Sequence, residues 1–264
     1  MTETDNIYVL GDTADDAERI RLGLLEDYTD PITTGHLERI GVAAGWRCLE
    51  VAAGGGSIAR WLAGRVGPSG SVLATDLDPR FLTDLPANVE VRKHDIDHEE
   101  LETGFDLAHC RLLLMHLPDP VATLSRMLQA LRPGGWLLAE DYDFGLLTFS
   151  GHPEAAWATA AFQAFATRLQ QPGLMDGFIG RRLPALAAAA GVEALGAEAF
   201  SSFARKGAGP QWDAVQHSLP ALRPAAIASG TPEAEYDRMA AILADPSVVW
   251  FGICTVSAWG RRPG

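Results

Sequence analysis

Trp46-Arg47-Cys48-Leu49-Glu50-Val51-Ala52-Ala53-Gly54-Gly55-Gly56-Ser57-Ile58-Ala59-Arg60 is the stretch on which the fold turns. Cys48, Leu49 and Val51 are apolar, as a central parallel strand buried on both faces requires. Gly54, Gly55 and Gly56 then allow a sharp turn and a close backbone approach to a ligand. Ser57 is expected to cap the helix that follows, and Gly64 to end it. Glu50 stands where the strand gives way to the turn, so the loop presents a carboxylate beside its glycines.

Two further acids occupy comparable places. Asp76 follows Ser71-Val72-Leu73-Ala74-Thr75, and Asp95 follows Val89-Glu90-Val91-Arg92-Lys93-His94. Three successive strand ends thus carry a negative charge. Gly54-x-Gly56-x-x-Ala59, with Asp76 about 20 residues on, also satisfies the loose dinucleotide fingerprint. A diphosphate is repelled by a carboxylate at the strand tip, whereas a ligand with a sulfonium, an ammonium and a ribose is attracted to it. The dinucleotide alternative, an NAD(P)-dependent oxidoreductase, also lacks a Tyr-x-x-x-Lys pair, because both lysines, Lys93 and Lys206, lie far from any tyrosine at that spacing.

At these positions the chain resembles the class I S-adenosylmethionine-dependent methyltransferases. The run from Glu50 to Gly56 is similar to the family's acid-x-Gly-x-Gly-x-Gly loop, with Ala52 standing where the family usually has glycine. Alanine fits there if the backbone φ is negative. Ala74-Thr75-Asp76-Leu77-Asp78 resembles the second motif, whose acid holds the ribose hydroxyls, and His94-Asp95-Ile96 the third, which reads adenine. Phe105-Asp106-Leu107-Ala108-His109-Cys110-Arg111 with Leu114-Met115-His116-Leu117-Pro118-Asp119-Pro120 resembles the fourth strand and its loop. Leu131-Arg132-Pro133-Gly134-Gly135-Trp136 resembles the turn into the fifth. The likeness runs from about residue 35 to 143, and the nearest branch is that of ubiquinone/menaquinone C-methyltransferase-like enzymes acting on small molecules.

The resemblance implies a doubly wound, Rossmann-like α/β fold with seven strands, the last antiparallel. It implies S-adenosyl-L-methionine as cofactor, held by Glu50, Ala52, Gly54, Gly56, Asp76, Leu77, Asp95, Ile96, Cys110 and Arg111. Four segments of one folded unit follow: an N-terminal helical cap over 1–34, the cofactor-binding core over 35–143, a helical lid over 144–191, and final strands and helices over 192–264. Within the cap a helix is expected near 15–25, a further short helix near 35–40 leads into the first strand, and the Tyr8-Val9-Leu10-Gly11 opening resembles one that precedes the core in related enzymes, whose N-terminal helices lie over the cofactor mouth.

Methyl transfer is an in-line displacement, so the enzyme chiefly aligns the nucleophile and excludes water, with a base where a proton must leave. His116, Asp141 and Tyr8 are the candidate catalytic residues. Asp141-x-Asp143 with His152 suggests a hard-cation site, and residues 94–100 suggest a ligand cluster, but the first lacks a third strong ligand and the second a zinc spacing, so no metal is expected. Phe144, Phe149, Trp157, Phe162, Phe165, Phe178 and Trp250 enrich the lid in aromatics, consistent with a core and with an apolar acceptor pocket.

Composition narrows the partners. With 264 residues and 47% hydrophobic content the chain can bury a full core, and it contains no apolar run long enough to span a bilayer. A net charge of −13 argues against nucleic acid and against anionic membranes. An acidic Met1-Thr2-Glu3-Thr4-Asp5 opening is unlike a secretory leader, and Cys48, Cys110 and Cys254 read as buried hydrophobes, which together imply a cytoplasmic setting. The expected partner is a small organic acceptor, a secondary metabolite or quinone-like ring, with a homodimer as a further option. A non-catalytic ligand-binding protein on the same fold is the remaining alternative.

Overall fold

A computed structural model describes residues 15–171 and 174–264. Tyr8 and the Tyr8–Gly11 opening therefore lie outside the described residues.

The sheet is built from β1 (Arg47–Val51), β2 (Ser71–Asp76), β3 (Val89–Lys93), β4 (Phe105–Arg111), β5 (Leu131–Asp143), β6 (Thr148–Ser150), β7 (Glu193–Arg205) and β8 (Val249–Arg261). Their order is β3-β2-β1-β4-β5-β8-β6, with β7 on the other edge of β8. The first five strands pair in parallel, and β8 runs antiparallel to β5, β6 and β7. The expected antiparallel final strand is present. The eighth strand is the three-residue β6, too short to show a period in the sequence.

Helices α1 (Asp15–Ile40), α2 (Ser57–Val66), α3 (Pro120–Ala130), α4 (Ala155–Arg168), α5 (Leu183–Ala189), α6 (Pro210–Ala228) and α7 (Glu233–Leu243), with short 3-10 turns at Pro79–Phe81, Leu114–His116 and Gly180–Arg182, complete the described elements. One core joins Cys48, Val72, Ala74, Leu107 and Leu138 to Ile58, Leu62 and Leu37 of α2 and α1. The other joins Leu49, Val51, Ala108, Cys110 and Ala139 to Leu124 and Met127 of α3. Successive strand residues thus alternate between the two layers.

α1 is one helix where two short ones were expected, and it passes through Pro31. Asp30 and Thr33 flank that proline and are tied to Arg111 and Glu140, so tertiary contacts on one face override the local breaker. The expected boundary between cap and core at 34/35 falls inside this helix. α6 is likewise continuous across Pro220 and Pro224.

The caps differ from expectation at α2. Its N-cap is Gly56 at φ +83°, which makes no side-chain cap bond. Ser57 is already helical, and its hydroxyl donates to Asp30 Oδ1 at 2.9 Å. The helix continues past Gly64 and ends on Gly67 at φ +65°. Asp119 does cap α3, accepting from the Ala122 N–H at 3.0 Å with Pro120 at the first helical position.

Candidate active site

A cavity of about 370 Å³ opens beyond the carboxyl ends of β1, β2 and β4. That is the end at which open α/β sheets bind ligands. Glu50, Asp76 and Asp95 all line it, as do Ala52, Gly54, Leu77, Ile96, Arg111 and His116. Residues separated by tens of positions in sequence are brought together because parallel strands end in register on one side.

Asp76 holds the glycine turn. Its Oδ2 accepts from the Gly54 N–H at 2.9 Å and its Oδ1 from the Asp78 N–H at 2.9 Å. Each oxygen can accept a further hydrogen bond, which suits a vicinal diol. Burial raises the Asp76 pKa against the pull of those N–H donors. At Asp95, hydrogen bonds from His98 and the Asp97 N–H outweigh partial burial and lower the pKa. Leu77, 45% exposed, and buried Ile96 offer apolar surface beside these acids, where a flat base can lie.

The turn itself is tight. Gly54 and Gly56 have positive φ, as does Ala52 at +57°. The condition of a negative φ at Ala52 is thus not met: the turn imposes a left-handed backbone on a residue with a Cβ, at a cost. At Gly55 a Cβ would meet Glu26 Oε1 at 2.5 Å. Glu26, from α1, also stands 3.4 Å from the Ser57 N–H, over the N-terminus of α2. A dinucleotide would place its pyrophosphate there. The carboxylate already in that place, its pKa raised by burial and by Asp30, disfavours a phosphate and suits a phosphate-free nucleoside ligand.

Cys110 and Gly56 do not line the cavity. Cys110 points into the opposite core, one residue out of phase with His109 and Arg111. Gly56 instead shapes the turn, where an added Cβ would stand 3.1 Å from Leu82 and 3.2 Å from Leu85. Arg111 reaches Asp30 Oδ1 and Thr33 Oγ1, both at 2.9 Å, and so secures α1 across the cavity mouth.

Among the candidate catalytic residues, His116 lines the cavity. Burial, with the nearby Arg21 cation, lowers its pKa to about 4, so the ring is neutral near pH 7. Asp141 does not line the cavity. Fully buried, it accepts from the Met115 N–H at 3.1 Å and the Tyr142 N–H at 3.0 Å, and so holds the turn that carries His116. Burial raises its pKa to about 7. Asp143 is taken up by Arg181, with contacts of 2.7 and 2.8 Å, and His152 accepts from the Glu154 N–H at 3.0 Å. Among the described residues no three His, Cys, Asp or Glu side chains converge as a metal site.

Beyond His116 the same cavity continues into an apolar lobe. Phe144, Phe162, Phe165, Ala166, Leu169 and Met175 form one wall, and Ala214, Val215, Leu219 and Leu222 of α6 form the other. Its polar points include Tyr142 and Tyr28, whose hydroxyl accepts from Gln211 Nε2 at 3.0 Å. Arg21 and Glu18 enter from α1 as a mutual pair at 2.8 Å. The α1 and α6 contributions were not singled out in the sequence, because apolar residues on helices look alike whether they face a core or a chamber.

Residues 49–137 match a family described as a methyltransferase domain. The chain is 34% identical over 139 residues to methyltransferase str2 of Strobilurus tenacellus, covering 52% of this chain and 50% of that protein. It is 29% identical over 118 residues to a ubiquinone biosynthesis O-methyltransferase of Nitrosospira multiformis, covering 41% and 48%. The chain thus spans about half the length of these curated relatives. Among solved structures, phosphoethanolamine N-methyltransferase 2 of Haemonchus contortus, in complex with S-adenosylhomocysteine, superposes with a TM-score of 0.51 at 19% identity, covering 86% of this chain and 51% of that one. That likeness shows a shared fold. Residues 49–137 are thus a methyltransferase domain, set in a sheet whose strand order and acid-tipped strands resemble those of the class I S-adenosylmethionine-dependent methyltransferases.

Proposed function

We propose that the chain transfers a methyl group from S-adenosylmethionine to a small, largely apolar organic acceptor. One observation carries this reading: a single cavity runs from the three acid-tipped strands into the aromatic lobe between α4 and α6. A donor site and an acceptor chamber that share one space can bring two reactants into line away from water.

Asp76 would take the ribose hydroxyls, with Leu77, Asp95 and Ile96 around adenine. Glu50, Ala52 and Gly54 would face the methionine part, and Arg111 would hold α1 over it. When bound, the cofactor supplies an electrophilic methyl group on a sulfonium. The chain's own contribution is alignment, exclusion of water and, for a hydroxyl acceptor, a proton acceptor. His116 is placed to accept a hydrogen bond from such a hydroxyl: it borders the lobe and its ring is neutral near pH 7, while its lowered pKa makes it a weak base suited to an acidic acceptor such as a phenol. Asp141 acts by fixing the turn beneath His116.

The walls favour an uncharged ring. The Arg21–Glu18 pair neutralises itself, and the remaining lining is dominated by Phe, Leu, Met, Val and Ala. A quinone-like or other aromatic acceptor fits that chemistry, and a relative whose name places it in ubiquinone biosynthesis supports it. The test is acceptor-dependent release of S-adenosylhomocysteine across a panel of neutral phenols and quinols, cationic amines, and phosphorylated compounds. Turnover with the neutral aromatics is expected. Turnover confined to charged acceptors, or none with any, would refute the assignment.

A further inference from the structure

Beneath the cavity a row of polar side chains crosses the sheet, and the methyl-transfer chemistry above leaves it unused. Register builds it. Glu50 on β1 lies opposite His109 on β4, and Glu140 on β5 lies opposite Ser257 on β8. All four side chains share the face that packs on α1, because each is in phase with its neighbours. His109 Nδ1 is 2.7 Å from Glu50 Oε2, and its Nε2 is 3.3 Å from Glu140 Oε2. Glu140 also accepts from Ser257 Oγ at 2.6 Å and from Thr33 Oγ1 on α1. Thr33 accepts from Arg111, which reaches Asp30, and Asp30 accepts from Ser57 at the start of α2.

The His109 and Glu140 side chains are fully buried and that of Glu50 is 5% exposed. Ions so placed are costly, and an apolar trio of similar volume is often more stable. An imidazole between two carboxylates satisfies both when each ring nitrogen carries a proton. Burial pulls the His109 pKa down, but Glu50 and Glu140 outweigh it and raise it to about 9. Glu140 is pushed in the opposite direction, its burial overcome by His109, Ser257 and Thr33. Of the three, Glu50 alone lines the cavity, at the end assigned to the cofactor.

We propose that His109 is a positioning residue for the cofactor: held between Glu50 and Glu140, its ring fixes the orientation of the Glu50 carboxylate at the cavity, while Glu140 and Thr33 anchor the array to α1. This rests on the reading that Glu50 meets S-adenosylmethionine. The groups facing His109 are Glu50 on β1 and Glu140 on β5, with His36 on α1 close enough to feel its charge, while Thr33 on α1 donates to Glu140. Without the imidazolium, Glu50 becomes an unpaired buried acid. Its carboxylate is then no longer held toward the cavity, which weakens its attraction for a cationic ligand.

The test uses the full chain with His109→Gln, and binding of S-adenosylmethionine followed by calorimetry from about pH 6 to pH 8.5. Wild-type affinity is expected to be nearly flat over that range. The variant, with folding verified by circular dichroism, is expected to bind about tenfold more weakly across that range. A folded variant with wild-type affinity at every pH would overturn the proposal. Should the variant not fold, nitrogen-15 NMR of histidines in the wild-type chain decides. The expected result is one buried ring protonated at both nitrogens to about pH 8, with resonances that shift on saturation with S-adenosylhomocysteine. A neutral ring, or resonances unmoved by that ligand, would overturn it. Asp76→Ala separates the two readings: loss of binding there with none in His109→Gln removes the positioning role alone, and a wild-type chain that binds no cofactor removes both.

Discussion

Asp76→Ala probes the cofactor site with the least disturbance elsewhere. The carboxylate is about half-buried at the tip of β2, and its two oxygens already hold the Gly54 and Asp78 N–H groups at 2.9 Å. A ribose would add one hydroxyl donor to each oxygen. Hydrogen bonds to a charged group contribute about 1.5–3 kcal/mol each, so losing two costs at least about 3 kcal/mol. That corresponds to a Kd raised roughly 150-fold. The freed Gly54 N–H loosens the turn and can only add to the loss. Asp76→Asn keeps the shape and one acceptor oxygen, so a rise of about tenfold is expected. Calorimetric titration with S-adenosylhomocysteine reads both, with thermal melting of the unliganded variants as the folding control. A folded Asp76→Ala chain whose Kd stays within about threefold of wild type would refute the ribose assignment.

Ala52→Gly relieves the left-handed backbone at φ +57° and should stabilise the chain by about 0.5–1 kcal/mol, seen as a Tm raised by about 1–3 °C. Val215→Trp, from the α6 wall, should raise the acceptor KM about tenfold or more while leaving the S-adenosylhomocysteine Kd unchanged, since it fills the chamber and not the nucleoside end. Asp141 binds its proton more tightly folded than unfolded, so its contribution to stability is present at acid pH and is lost as pH rises from about 4 to about 7. Urea melts at about pH 4.5 and pH 8 should therefore show wild type losing roughly 1–4 kcal/mol relative to Asp141→Asn across that window.

The strand-tip acids were legible because each falls at the end of a strand-like run within a stretch that resembles a family motif, so position along the chain sufficed. The turn from Ala52 to Gly56 was legible in outline but not in its dihedrals. A glycine-to-alanine difference does not reveal whether the backbone relaxes or the residue accepts a positive φ, and here it accepts one. The dinucleotide alternative fell to Glu26, which is 31 positions from the Ser57 N–H it approaches and carries no motif. His109 looked like one polar residue inside a buried strand. Its meaning depends on Glu50 and Glu140, which lie 59 and 31 positions away and meet it only through strand register. The same period-2 alternation that aims Glu140 at α1 turns Asp141 away from the cavity, so a candidate base became the anchor of the His116 turn. Arg111 and Asp30, 81 positions apart, likewise find each other only through tertiary structure.

A crystal structure with S-adenosylhomocysteine bound tests the account's central claim most directly. The account places adenine between Leu77 and Ile96, both ribose hydroxyls on Asp76, and the sulfur at the boundary where the acid-lined space meets the lobe of Phe162, Val215 and His116. A nucleoside seated elsewhere, or a sulfur turned away from that lobe, would contradict it.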